Sequence, residues 1–230
     1  MIPPAYHRSL LTPQEQAVYR KVVLALRDHK TSVFLPPGLT AQSGIRKAVR
    51  AVHRDHPELF YVDFWHYQLQ SAPSGTGFLL RFPMLLDPFP AEAIANSLSQ
   101  KVSELRSRMT ECTTLSQAYI LLIREISTQT RYKNTESAFW DHTVAGPLLN
   151  HSAVCEGISK YFLFLCQRLH LPCAVVVGTL NGGSHAWNMV KIDGVRKYVD
   201  ITALLSSAVP FTREIFKSEE QLLQKGYVII

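Results

Sequence analysis

Cysteine is scarce in this sequence, and the cysteines that it contains form no metal-binding or redox pattern. They are Cys112, Cys155, Cys166 and Cys173, and no two of them make a CxxC pair or a zinc-type spacing. His151 stands near Cys155, but no further ligands accompany that pair. We therefore expect no bound metal and reduced thiols, which are typical of an intracellular, cytoplasmic protein.

Long apolar runs are also absent. The longest, such as residues 161–166, fall far short of the roughly 20 residues that a membrane-spanning helix needs. The N-terminal segment MIPPAYHRSLLTPQEQ contains no apolar signal core. We expect no membrane span, and the sequence leaves open a signal peptide that has been removed from the chain.

Strong charge and nucleic-acid motifs are lacking as well. The net charge of +6 is modest for 230 residues, and because no basic stretch is interleaved with aromatics we expect no nucleic-acid partner. The clearest basic cluster, Arg46, Lys47, Arg50 and Arg54, follows helical spacing. We interpret it as a solvated helix face, and the alternative is an interaction surface for an anionic partner.

What the sequence does contain is a folded α+β pattern, with 47% hydrophobic residues. The periodicity predicts helices at 13–29, 40–54, 89–109 and 114–129, an aromatic-rich strand at 59–69, a turn at 72–76 and a partner strand at 77–85. Thr12 is expected to cap the first helix, and Pro13 suits its first turn. We place an α+β extension over residues 1–110 and a second domain over residues 111–230.

The second domain centres on a helix predicted at residues 155–169, which is apolar on most sides and should pack against a sheet. Cys155 stands at its start, with Ser152 as the expected cap. The helix dipole and the free backbone N–H groups there favour a thiolate and can donate to an oxyanion. The carboxylate of Glu156 opposes that thiolate. Gly157 predicts that a neighbouring strand approaches the helix start closely.

Strands should follow at 173–179, 185–192 and 195–201. The dipeptide Asp193-Gly194 between the last two is a strong signal for a type I′ hairpin. A two-residue loop then pairs Ile192 with Val195, which sets the register of the whole hairpin.

Counting back along that hairpin places His185, Trp187, Asp200 and Thr202 on one face of the sheet. His185 and Asp200 become diagonal neighbours within reach of a hydrogen bond. Asn188 falls on the opposite face and is interpreted as structural. A thiol, a base and a group that orients the base are the requirements of nucleophilic catalysis.

The run AVCEGISKYFLFLCQRLHLPCAVVVGTLNGGSHAWNMVKIDGVRKYVDIT resembles the core of the papain-related transglutaminase-like superfamily. Its blocks VCEG, HAWN and YVDIT occur in the family's order of cysteine, histidine and aspartate, and the resemblance extends over residues 115–203. The segment HPELFYV, farther upstream, resembles N-terminal regions of bacterial transglutaminase-like proteins. The resemblance implies an α+β fold in which a cysteine-bearing central helix packs on an antiparallel sheet that carries histidine and aspartate.

The resemblance also implies roles for individual residues. Cys155 is the expected nucleophile, His185 the general base and acid, and Asp200 the group that orients His185. The backbone N–H of Cys155 would be one oxyanion donor, and the family often takes a second donor from a side chain upstream of the cysteine. The residues expected to supply that donor or to shape the site are Tyr132, Trp140, His142 and Trp187.

The expected function is therefore cysteine-dependent acyl transfer on the amide bonds of a peptide or protein, without a cofactor. We favour hydrolysis, as in a cysteine peptidase or amidase, since water is always present and no lysine-binding feature is visible. The first alternative is a transglutaminase, although the chain contains no acidic calcium loop. The second is a non-catalytic binding module on the same fold. The sequence does not predict the oligomeric state.

Overall fold

The computed structural model describes residues 2–72, 76–133, 138–205 and 211–230. The chain forms two compact units. The N-terminal unit is Ala5–Ala95, and the C-terminal unit is Asn96–Ile230 together with Met1–Pro4. The division falls inside a long helix, whereas the sequence prediction puts the domain boundary at residue 110. The functional assignment of the two predicted domains stays a prediction.

The N-terminal unit combines helices with a small antiparallel sheet of order β1-β3-β2. Its elements are α1 (Tyr6–Ser9), α2 (Pro13–Arg27), β1 (Ser32–Leu35), α3 (Gln42–Asp55), β2 (Gln68–Ser71) and β3 (Phe78–Arg81). Thr12 and Glu15 form a reciprocal capping box at the start of α2, where Pro13 occupies the first turn as predicted. The buried carboxylate of Asp55 accepts hydrogen bonds from the backbone N–H of His7 and from the hydroxyl of Tyr19, so it ties the three helices together.

The prediction of a strand at 59–69 is wrong. A 3-10 turn occupies Pro57–Leu59, and β2 begins only at Gln68. The carboxylate of Asp63 accepts hydrogen bonds from the backbone N–H of Trp65 and His66 at 2.9 and 3.0 Å. Such a local turn competes with an extended strand.

The partner strand predicted at 77–85 exists but is shorter, since β3 covers Phe78–Arg81. The predicted turn at 72–76 includes residues 73–75, which lie outside the described residues. The basic side chains of Arg46, Lys47 and Arg50 are exposed on α3. Their use by a partner stays a prediction.

The C-terminal unit contains the longer helices and a four-stranded antiparallel sheet of order β8-β7-β6-β9. Its elements, the first of which begins in the N-terminal unit, are α4 (Pro88–Met109), α5 (Leu115–Gln129), β4 (Arg131–Tyr132), β5 (Ser152–Ala153), α6 (Cys155–Arg168), β6 (Cys173–Leu180), β7 (Gly183–Ile192), β8 (Val195–Val199), α7 (Ile201–Leu205), α8 (Glu219–Leu223) and β9 (Tyr227–Ile229). The short strands β4 and β5 pair in parallel.

Helix α6 is the centre of this unit. Every residue from Gly157 to Cys166 is buried, as expected of a helix that is apolar on most sides. Ser152 does not cap it, because Ser152 pairs with Arg131 in the β4–β5 ladder. The N-cap is Val154, which makes no side-chain hydrogen bond to the helix. The first N–H groups of α6 therefore lack the side-chain acceptor that the sequence predicted.

The predicted hairpin forms with the predicted register. Asp193 and Gly194 have φ values of 50° and 80°, as a type I′ turn requires, and Ile192 pairs with Val195. Strand β8 ends earlier than predicted, at Val199, and Thr202 lies in α7 instead of a strand.

The described fold is α+β. Helix α6 packs on β6 and β7. None of the described helices is both long and apolar enough to cross a membrane. Among the described residues, no group of three or more His, Cys, Asp or Glu side chains is placed to hold a metal ion.

Candidate active site

Cys155 is the first residue of α6, and a tight backbone contact fixes where that helix begins. The carbonyl oxygen of Asp141 accepts a hydrogen bond from the N–H of Val154 at 3.2 Å. The same carbonyl lies so close to Gly157 that a Cβ there would collide with it. The prediction that Gly157 admits a close neighbour is confirmed, but the neighbour is the 3-10 turn Phe139–His142 and not a strand.

His185 lies on β7 opposite Gly178 of β6, and its imidazole joins the other two predicted catalytic groups. Its Nε2–H donates a hydrogen bond to Oδ2 of Asp200 at 2.7 Å. Cys155 lies close enough to the imidazole to help raise its pKa. Because Asp200 occupies Nε2, Nδ1 is the ring nitrogen left to exchange a proton with Cys155. The structure thus places His185 in contact with Asp200 and near Cys155, and the catalytic roles of the three residues stay a prediction.

Asp200 follows β8 directly, and both of its carboxylate oxygens are engaged. Oδ1 accepts a hydrogen bond from the backbone N–H of Ala203 at 3.1 Å, as in an N-cap of α7. Oδ2 accepts hydrogen bonds from His185 and from the hydroxyl of Tyr227, both at 2.7 Å. This capping bond explains why β8 ends where it does.

The protonation of His185 is shifted by its neighbours. Burial by itself would lower the pKa of the imidazole, but the hydrogen bond and charge of Asp200, together with the neighbouring Cys155, outweigh burial and raise the pKa to about 9. At neutral pH the imidazole therefore carries a proton. A protonated imidazole beside a thiolate is the reactive form of a cysteine nucleophile.

The carboxylate of Glu156, expected to oppose the thiolate, is held by two other groups. Lys160 lies one helical turn along α6 and forms an ion pair with Glu156 at 2.8 Å. Nδ1 of His142 donates a hydrogen bond to Glu156 at 2.9 Å. Both contacts draw charge from the carboxylate, so its effect on Cys155 is weaker than the sequence predicted.

The candidates for a second oxyanion donor lie in different surroundings. His142 is bonded to Glu156, and the ring of Trp140 packs against Phe139 with centroids 4.2 Å apart. Burial and then the electrostatic effects of Cys155 and Asp200 raise the pKa of the Tyr132 phenol. Tyr132 therefore lies within electrostatic reach of the predicted catalytic groups.

Tyr132 also borders a cleft of about 950 Å³. Its other lining residues include Arg131, Asn150, Ser152 and Leu205. Tyr132 therefore lies at the edge of this cleft and within electrostatic reach of Cys155 and Asp200.

Trp187 and Asn188 are both fully buried. The Trp187 ring stacks on His185, with centroids 5.9 Å apart and planes 25° apart, so it supports the imidazole from behind. Nδ2 of Asn188 donates to the carbonyl of Ser159 in α6 at 3.0 Å, which agrees with a structural role.

Sequence reasoning missed Tyr227 at this site. It lies in β9, a strand of three residues at the end of the chain. No spacing rule connects such a short strand to the hairpin that carries His185 and Asp200. The one sequence signal for this strand is a glycine followed by an aromatic residue. Gly226 has a φ of 82°, and Tyr227 is the first residue of β9.

Residues 103–202 match the family model described as the transglutaminase-like superfamily. No curated protein matches the chain. A solved structure described as a TGase is similar at 14% identity with a TM-score of 0.41, over 85% of this chain and 56% of that one.

A candidate cysteine protease from Cytophaga hutchinsonii is similar at 17% identity with a TM-score of 0.42, over 72% of this chain and 65% of that one. The periplasmic domain of TgpA from Pseudomonas aeruginosa is similar at 16% identity with a TM-score of 0.36, over 54% of this chain and 55% of that one. The chain spans less than two thirds of the length of each of these structures, and TM-scores below 0.5 mark distant likenesses.

Proposed function

Because residues 103–202 belong to the transglutaminase-like superfamily, we propose that this chain is a cysteine-dependent acyl-transfer enzyme that acts on amide bonds. One observation carries the proposal: the imidazole of His185 is hydrogen-bonded to Asp200 and has its pKa raised by the neighbouring Cys155. A nucleophile, a base and an orienting carboxylate in contact are what this chemistry requires.

In the proposed acylation step, His185 holds the proton of Cys155 on Nδ1, and the thiolate attacks the carbonyl carbon of an amide. The carbonyl oxygen becomes an oxyanion, which the backbone N–H of Cys155 can bind at the start of α6. The imidazolium then gives its proton to the leaving amine. The C–N bond breaks, and a thioester forms on Cys155.

In the proposed deacylation step, His185 takes a proton from the acceptor, which attacks the thioester and releases the thiolate. If the acceptor is water, the enzyme is a peptidase or amidase, and this is the form that we propose. Water is always present, and no lysine-binding feature stands out in the described residues. If a primary amine competes successfully for the thioester, the enzyme is a transglutaminase.

We assign the second oxyanion donor to Tyr132, because Cys155 influences the pKa of its phenol and Tyr132 borders a cleft. Trp187 supports the imidazole from behind. We propose a peptide or protein as substrate, bound in the cleft that Tyr132 borders. A cytoplasmic location is proposed as well, and the four free cysteines support it.

The proposal is tested by mapping cysteine alkylation. Under limiting iodoacetamide between pH 5 and 9, we expect Cys155 to react at least about tenfold faster than the other cysteines, because it is the thiol paired with an imidazole. His185→Ala should remove that advantage. Equal and slow labelling of all four cysteines would show a non-catalytic binding module instead.

A second experiment separates hydrolase from transferase. A glutamine peptide is offered with and without a primary amine, and Cys155→Ala serves as the control. Release of ammonia without incorporation of the amine is expected. Incorporation that depends on Cys155 would establish the transglutaminase alternative.

A further inference from the structure

A buried tyrosine of the last strand contacts two members of the catalytic group. The hydroxyl of Tyr227 donates to Oδ2 of Asp200 at 2.7 Å, and this oxygen is the one that accepts from His185. The Tyr227 ring lies 6.1 Å from the His185 ring and 5.2 Å from the Trp187 ring, between centroids. The residue is 6% exposed, so this contact is shielded from solvent.

The sheet register places the phenol over the histidine. Tyr227 pairs with Leu180, and His185 pairs with Gly178 on the same strand β6. Paired residues of an antiparallel sheet project their side chains from the same face, and alternate residues share a face. Tyr227 and His185 therefore lie on one face, and Gly178 presents no side chain between them. A Cβ at Gly178 would meet the Trp187 ring at 2.8 Å and collide with the carbonyl of Val228.

The hydroxyl of Tyr227 remains a donor throughout the working pH range. Burial and then the charge of Asp200 raise the pKa of this phenol. Together with the N–H of Ala203 on Oδ1, it holds the carboxylate of Asp200 from both sides. A hydrogen bond donated to a carboxylate withdraws charge from it, so less charge is available to hold the proton of His185.

We propose that Tyr227 is a positioning residue of the catalytic site, which acts through Asp200 to orient His185 and to keep the imidazolium acidic enough to protonate the leaving amine. This inference rests on the proposed function, because only acyl transfer requires His185 to release its proton. The titratable groups that face His185 are Cys155 at the start of α6, Asp200 after β8 and Tyr227 of β9.

The test is Tyr227→Phe in the full chain, which removes one oxygen atom and keeps the ring contacts. Without the hydroxyl, Oδ2 of Asp200 concentrates its charge on His185. The pKa of His185, followed by NMR on ¹⁵N-histidine-labelled protein, should rise by about half a pH unit. The upper transition of the Cys155 alkylation profile should move upward with it.

The matched control is Tyr198→Phe. Tyr198 is also buried in this sheet, and its hydroxyl donates to a different carboxylate, that of Glu219, at 3.0 Å. This variant should lose stability without any change in the titration of His185. A merely structural role for Tyr227 predicts the same behaviour for both variants.

A second substitution, Tyr227→3-fluorotyrosine, protects the test against a variant that fails to fold. Its more acidic hydroxyl donates a stronger hydrogen bond to Asp200, so the pKa of His185 should move downward. Opposite shifts in the two Tyr227 variants support the proposal. An unchanged His185 titration in either folded variant overturns it.

These outcomes are distinct from failure of the proposed function. If Cys155 reacts selectively and His185 does not respond to Tyr227, the positioning role is wrong and the enzyme proposal stands. If His185 responds but Cys155 labels no faster than the other cysteines, the hydrogen-bond chain exists without the proposed chemistry, and the positioning role falls with that chemistry.

Discussion

The nearby imidazole of His185 distinguishes Cys155 from an ordinary thiol. Asp200 fixes one ring nitrogen, and the other is left to exchange a proton with Cys155. Cys155 is partly buried, whereas Cys166 is fully buried beside another thiol, Cys173, and burial raises the pKa of Cys166 well above the usual value. Because the two thiols have different neighbours, we expect Cys155 to react selectively.

The raised pKa of His185 predicts a pH-dependent stability. The folded state favours the protonated imidazole up to a pKa of about 9, from an ordinary value of 6.5. The stabilisation is therefore fully present below pH 6.5 and is lost as the pH rises to about 9. Over that range the free energy of unfolding should fall by about 1–3 kcal/mol. Urea unfolding between pH 6 and 9.5 measures it.

In that experiment, His185→Gln should abolish the decline that comes from this group, and Asp200→Asn should reduce it because the main partner of the proton is gone. Persistence of the wild-type curve in both variants would show that the loss of stability arises elsewhere.

The assignment of Tyr132 as an oxyanion donor predicts a selective loss of turnover. Removal of one such donor typically costs about 10²–10³ in the catalytic rate. Tyr132→Phe should therefore slow hydrolysis of the glutamine peptide by about that factor. Alkylation of Cys155, which forms no oxyanion, should change little. Trp140→Phe is the control, and an equal loss of turnover in that variant would contradict the assignment.

At the scale of elements, the site depends on where α6 starts. The 3-10 turn Phe139–His142 presses a carbonyl against Gly157, and the helix begins with the thiol in place. The sequence predicted the helix, its cysteine and the need for a glycine. It could not predict which element approaches, because that choice depends on how the chain folds back between residues 130 and 153.

Gly157→Ala tests this contact. In a free helix the change would stabilise by about 1 kcal/mol, but here the new Cβ collides with the Asp141 carbonyl. We expect a net loss of about 2 kcal/mol or more in the free energy of unfolding, with slower alkylation of Cys155. Both are measured on purified protein by denaturant titration and mass spectrometry.

The matched control is Gly183→Ala, since a Cβ there would meet only the Leu180 carbonyl, at an ordinary 3.6 Å. This variant should remain within about 0.5 kcal/mol of the wild type. If Gly157→Ala is equally mild, the turn yields easily and does not fix the helix start.

At the scale of the whole molecule, the chain is two compact units with separate cores. The N-terminal unit buries residues such as Leu80, whereas the C-terminal unit buries residues such as Leu122. The contacts that we describe around Cys155 all come from the C-terminal unit. This arrangement predicts that the reactivity of Cys155 is preserved when the core of the N-terminal unit is destabilised.

Leu80→Ala should cost about 2–5 kcal/mol in the stability of the N-terminal unit, without slowing Cys155 alkylation at temperatures where the C-terminal unit stays folded. Leu122→Ala should slow alkylation as the C-terminal core loosens. Thermal unfolding followed alongside alkylation measures both. Equal slowing in the two variants would mean that the N-terminal unit supports the site directly.

The sequence by itself determined the local elements and the hairpin. Helical periodicity places α6, and the turn residues Asp193 and Gly194 set the pairing of β7 with β8. That register follows from counting residues along the chain. It therefore predicts that His185 lies near Asp200 without any knowledge of the tertiary contacts. The resemblance then predicts Cys155 as their partner, and the family match over residues 103–202 confirms the resemblance itself.

Only the tertiary structure decided the groups that surround these three residues. Tyr227 reaches Asp200 from the far end of the chain, Asp141 sets the start of α6, and Tyr132 borders the cleft. The strand predicted at 59–69 failed for a different, local reason, because the carboxylate of Asp63 accepts hydrogen bonds from the backbone N–H groups of Trp65 and His66. Contacts between distant segments depend on which elements pack together, and no local pattern encodes that choice.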